Sequence, residues 1–149
     1  MGCDCMHKKF TIIIALIIIL ITIIVFLEPS PPSEITVMYN DFLSSFSEGT
    51  YSDIDPYLHY EIPEHRILNE QYFANISKHD IKNWKMLNSN LWVAKTYIQL
   101  DYEEKGNICY HFVGMIEGEW RIMLGQHHVP SELSRGIDLT KYIPANSLP

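Results

Sequence analysis

Cysteine is scarce in this chain. Cys3 and Cys5 precede a long apolar run and Cys109 follows it by itself, so the part after that run can form no disulfide of its own and must fold by packing. Basic residues are also few, 11 Lys and Arg against 18 Asp and Glu. Setting aside Lys8, Lys9 and Asp4 leaves nine against seventeen after residue 27, a balance of −8. With no basic stripe, that balance excludes nucleic acid and disfavours anionic lipid as partners of this part, because both reward clustered Lys and Arg. Repeats and low-complexity segments are absent outside the apolar run, and no catalytic or ligand motif of high specificity is present.

What the chain does have is residues 10–27, FTIIIALIIILITIIVFL, with no charge and no proline. Eighteen residues at the helical rise cover roughly 27 Å, close to the hydrocarbon thickness of a bilayer. The run predicts a single transmembrane helix, since lipid offers backbone polar groups no partners outside one. His7, Lys8 and Lys9 stand before it and Glu28 after it, which places the tail 1–9 in the cytoplasm and the rest outside. A cleaved secretory signal would have a shorter apolar stretch ending in small residues, whereas this one leads into LEPSPPS. The expected location is the cell membrane, with the run as an uncleaved signal anchor.

The tail supports little more. Gly2 invites N-myristoylation, but Met6 stands where the pattern needs Ser or Thr. Cys3 and Cys5 suit S-palmitoylation or a link between chains, and with His7 they fall short of the four ligands of structural zinc. Six histidines lie beyond the anchor. His127 and His128 are neighbours and diverge in a strand, while Glu61, Glu64 and His65 lack a first histidine and are interrupted by Pro63. The residues therefore predict neither a metal site nor a cofactor. Asn75-Ile76-Ser77 fits the N-glycosylation pattern.

Residues 28–33, rich in proline, read as a stiff spacer, and residues 34–128 as one domain. Ser33 suits an N-cap, and Ile35, Met38, Phe42 and Phe46 recur at helical spacing until Gly49. A short helical stretch follows near Asp55 and Pro56, and a third helix is expected from Pro63 to about Asn75. From Ile81 the period becomes alternating, with turns at residues 88–90, 103–107 and 117–118, which predicts four antiparallel strands in a meander. In the second strand Trp92, Ala94, Thr96, Ile98, Leu100 and Tyr102 share a face opposite Lys95, Gln99 and Asp101. The apolar and aromatic set of Tyr110, Phe112 and Ile116 of the third strand and Trp120, Ile122 and Leu124 of the fourth is expected on that same inner face. His111 and Asp101 are then expected outside, with Cys109. The fold class is α+β: a transmembrane helix, then helices packed on a curved antiparallel sheet of at least four strands. Residues 129–149 form an arm that packs on the domain or binds a partner.

The first helix closing on Gly49, the segment TYSDIDPYLH, the meander and the final hairpin IEGEWRIM resemble the nuclear transport factor 2-like superfamily, over about residues 33–128. The resemblance implies a cone-shaped fold. It also implies kinship with membrane- or lipid-anchored exterior modules of Gram-positive bacteria, although no cysteine follows the apolar run as a lipid anchor would need. Members of the superfamily include ketosteroid isomerase and polyketide cyclases, which implies a pocket inside the cone. By parity its lining would be Trp92, Thr96, Ile98, Tyr110, Phe112 and Trp120, with no catalytic set. The first expectation is therefore a noncatalytic exterior module binding a protein or a small apolar ligand, a reading opposed by any accessible cavity with an ionisable group at its base. The alternatives are a small-molecule isomerase or hydrolase, with Asp101 or His111 turned inward by a parity shift of one, and a component of an envelope or secretion assembly.

Overall fold

The structure is a computed structural model that describes residues 13–17, 29–48, 51–59 and 76–143. Residues 13–17 are helical, with Ile13, Ile14, Leu16 and Ile17 exposed. The rest of the expected transmembrane helix, the cysteines and glycine of the tail, the expected third helix, Asn75 and residues 144–149 lie outside the described residues. Among the described residues no helix is long and apolar enough to cross a membrane.

Helix α1 spans Ser33–Glu48. The carbonyl of Pro32 accepts from the N–H groups of Ile35 (3.1 Å) and Thr36 (3.3 Å), so Pro32 holds the capping position one residue ahead of the expected Ser33. Ile35, Tyr39, Phe42 and Leu43 are fully buried at helical spacing, and that stripe docks α1 on the sheet. A single turn, α2 (Tyr51–Ile54), runs into a 3-10 turn over Asp55–Tyr57. Past it, Leu58 bridges Ile122 in parallel and the His59 N–H reaches the Ile122 carbonyl at 3.1 Å. These contacts cover part of a sheet edge.

The sheet is a four-stranded antiparallel meander in sequence order: β1 (Ile76–Asn88), β2 (Leu91–Leu100), β3 (Asn107–Ile116) and β4 (Glu119–Met123). Three register irregularities interrupt the β1–β2 pairing, and such bulges bend and twist a sheet. Strand β1 starts five residues before the expected Ile81, because residues 77–80 are polar and exposed on an edge strand and show no alternation to read. The β3–β4 turn has Glu117 at φ 52° and Gly118 at φ 88°, the positive pair that a tight two-residue hairpin needs.

Both faces of the sheet are covered. On one, α1 and the turn after it pack on Trp92, Ala94, Val113 and Ile122. On the other, Leu91, Val93, Phe112 and Met123 lie under Leu133, Ile137, Leu139 and Tyr142 of the C-terminal arm, which includes a short helix, α3 (Ser131–Ser134). Gly114 lets the arm approach, since a Cβ there would stand 2.7 Å from the Leu133 side chain.

This second layer corrects the expected parity of β3. Cross-strand partners share a face, and the register pairs Ala94 with His111, Thr96 with Cys109, Val113 with Ile122, and Phe112 with both Val93 and Met123. Cys109, His111 and Val113 therefore face α1, while Tyr110 and Phe112 face the arm. Their rings make edge contacts with Tyr142 at 5.7 and 5.9 Å. A strand covered on both sides is apolar on both, so its alternation does not reveal which face is which.

Candidate functional site

A cavity of about 220 Å³ lies beneath the C-terminal half of α1, where β1 begins, β2 ends and β3 begins. It exceeds the roughly 150 Å³ that suffices for a benzene-sized guest. Phe42, Leu43 and Phe46 of α1 form one wall, and Ile76, Ile98, Leu100 and Leu124 most of the others. Among the described residues the polar side chains at its surface are Glu103, Asn107, Cys109 and His111.

The base of the cavity is tied together by three side chains from three elements. The Tyr39 hydroxyl lies 2.7 Å from Thr96 Oγ1 and 2.7 Å from His111 Nδ1. Tyr39 and Thr96 are fully buried and His111 is 7% exposed. Helical spacing puts Tyr39 between Ile35 and Leu43 in the docking stripe, and the β2–β3 register brings Thr96 and His111 to the same face. Burial raises the Tyr39 hydroxyl well above its ordinary value, against the opposing bond with Thr96. Burial also lowers His111 from 6.5 to about 4, so its ring is neutral at neutral pH. The Cys109 thiol is pushed up, by burial first and then by the nearby Glu103 carboxylate.

No described side-chain nitrogen or oxygen is both buried and without a partner. His111 Nε2 has no bonding partner among the described residues, so it opens on the cavity that the ring lines. An accessible cavity with an ionisable side chain at its base counts against a purely noncatalytic module. The chemistry falls short of a complete acid–base pair, however. A ring held neutral titrates well below the pKa that serves general catalysis at neutral pH, and Tyr39, the titratable group bonded to it, is itself held protonated by burial.

The predicted pocket residues divide. Ile98 lines the cavity and Thr96 supports its base. Trp92 is buried in the core under α1, and half-buried Trp120 donates through Nε1 to Glu34 Oε1 at 2.7 Å. Tyr110 and Phe112 belong to the opposite face, and Asp101 and Tyr102 sit in an exposed turn after β2 rather than on a strand. His111 is at the site, reversing its expected outward position. Sequence reasoning passed over Tyr39, Cys109 and Glu103. For Tyr39 a signal was present, a hydroxyl set in an apolar helical stripe, which is unusual without a buried partner.

A wider, polar hollow of about 570 Å³ lies near Asp55, His59, Glu117 and Glu119. The Arg121 guanidinium beside it bonds Glu119 and the Pro56 carbonyl. Among the described residues no three His, Cys, Asp or Glu side chains gather as metal ligands would.

No protein-family model, curated protein or solved structure matches the chain. The class defined by fold and site is thus an α+β domain in which, among the described residues, one long helix roofs an apolar cavity on an antiparallel sheet.

Proposed function

We propose that this protein is a single-pass, membrane-anchored exterior domain that binds a small, largely apolar ligand in the cavity beneath α1. One observation carries the reading: a 220 Å³ apolar cavity with one imidazole nitrogen at its base, the pattern of a ligand site. The apolar run 10–27 and its flanking charges support the anchor and the exterior location. A long helix laid across a curved meander, with the cavity at one end, supports the cone architecture of the nuclear transport factor 2-like superfamily.

Binding is tested by methyl NMR on the full chain in lipid nanodiscs, titrated with a naphthalene-sized probe. Methyl signals of Leu43, Ile98 and Leu124 are expected to shift saturably, and Leu124→Trp to abolish the response by filling the space. Absence of a saturable shift, or an unchanged response in the filled variant, refutes the site. Anchoring predicts release from membranes by detergent and retention in alkaline carbonate. Release by carbonate alone refutes it.

The second reading, a small-molecule isomerase or hydrolase, is favoured by the inward position of His111. It predicts turnover of a bound ligand that His111→Gln abolishes while binding persists, and its refutation is turnover that survives this substitution.

A further inference from the structure

Because the Tyr39 and Thr96 hydroxyls are fully buried, the hydrogens they share with His111 can be accounted for. A neutral imidazole carries one N–H, at Nδ1 or at Nε2. If Nδ1 carries it, Nδ1 donates to the Tyr39 oxygen and the Tyr39 O–H donates to Thr96 Oγ1. The Thr96 O–H then finds no acceptor among the described residues, although Thr96 is fully buried. If Nε2 carries it, the Thr96 O–H donates to the Tyr39 oxygen and the Tyr39 O–H donates to Nδ1. Every buried hydroxyl hydrogen is then used. A buried donor left without an acceptor costs more than a typical made bond returns, so the second arrangement is preferred and directs Nε2–H into the cavity.

That donor sits in a wall of Phe42, Leu43, Ile98 and Leu124, near the Glu103 carboxylate. The field of Glu103 reaches inside, since it contributes to raising the Cys109 thiol. A carboxylate ligand would meet this like charge and, among the described residues that line the cavity, no cation, because burial keeps the imidazole neutral. An uncharged acceptor meets neither penalty.

We propose that the cavity selects a neutral, mainly apolar molecule carrying one hydrogen-bond acceptor, such as a ketone or ester, which receives Nε2–H of His111. Tyr39 and Thr96 are positioning residues that set the tautomer. This inference rests on the binding role proposed above.

The test uses three probes of one shape on the full chain in nanodiscs, with affinities referred to free aqueous concentration: 2-acetylnaphthalene, its hydrocarbon isostere 2-isopropenylnaphthalene, and 2-naphthoate. The ketone is expected to bind about tenfold more tightly than either of the others, the worth of one buried hydrogen bond. In His111→Leu the ketone and hydrocarbon should bind equally. If none of the three binds, the binding role itself fails and the selection with it. If ketone and hydrocarbon bind the wild-type protein alike, or naphthoate binds best, the binding role stands and the selection is overturned. A measurement independent of any ligand or variant fold is the long-range ¹H–¹⁵N spectrum of the wild-type chain with labelled histidine. It should show His111 as the neutral Nε2–H tautomer, and an Nδ1–H tautomer or an imidazolium at neutral pH overturns the proposal.

Discussion

Replacing Tyr39 with Phe keeps the ring that packs edge-on to Trp84, 5.1 Å between centroids, and removes one oxygen. That oxygen serves two buried partners, Thr96 Oγ1 and His111 Nδ1, each at 2.7 Å. Both lose their bond while buried, and a buried polar group stranded in this way costs roughly 1–3 kcal/mol. Tyr39→Phe should therefore destabilise the domain by about 3 kcal/mol, a large share of the roughly 5–15 kcal/mol that holds a domain together. Thr96→Val removes one of the partners and should cost about 1 kcal/mol by itself, since the Tyr39 hydroxyl can still donate to His111. In the double variant Thr96 is no longer stranded, so the two losses should fall short of additivity by about 1–2 kcal/mol. Urea unfolding of the four proteins, followed by tryptophan fluorescence, completes the cycle. A Tyr39→Phe loss below about 0.5 kcal/mol, or strict additivity, would mean that the three side chains do not act together and would refute the hydrogen-bond accounting.

Acidification should expose His111. The unfolded chain takes up a proton there below about pH 6.5, whereas the folded ring does so only near 4; stability present above 6.5 is thus lost progressively as pH falls through 4, and the loss then levels off. The gap corresponds to about 3 kcal/mol, which unfolding titrations at about pH 7.5 and about pH 4 should show in wild type and not in His111→Gln; equal losses would count against the burial argument. Gly106→Ala should destabilise by about 2 kcal/mol, because the new Cβ would press on the Ile98 carbonyl oxygen and stand 2.6 Å from the Tyr97 ring; unchanged thermal unfolding would refute that close approach. Tyr142→Ala should cost about 2 kcal/mol by uncovering Tyr110 and Phe112, and should speed amide exchange in β3 more than in α1. Uniform exchange would show that the arm is not an independent cover.

Much of the fold could be read from the residues in order. Alternating and helical periods placed α1 and the four-strand meander, and Glu117-Gly118 located the final hairpin within a residue. The site was less legible. One of the three side chains at its base is a tyrosine 57 residues from Thr96 and 72 from His111, and nothing local to Tyr39 identifies those partners. Glu103 belongs to the loop after β2, where no period exists to indicate where a side chain points.

By itself the sequence determined the elements, their order, the absence of a disulfide after residue 27 and the apolar run ahead of the domain, because propensity, turn chemistry and composition are properties of neighbouring residues. The tertiary structure decided which face of β3 meets α1. Side chains such as Tyr110, His111 and Phe112 alternate in the same way whichever face is inward. Only pairing with Val93, Ala94 and Met123, and the arm closing over the far side, breaks that symmetry and brings His111 to the cavity.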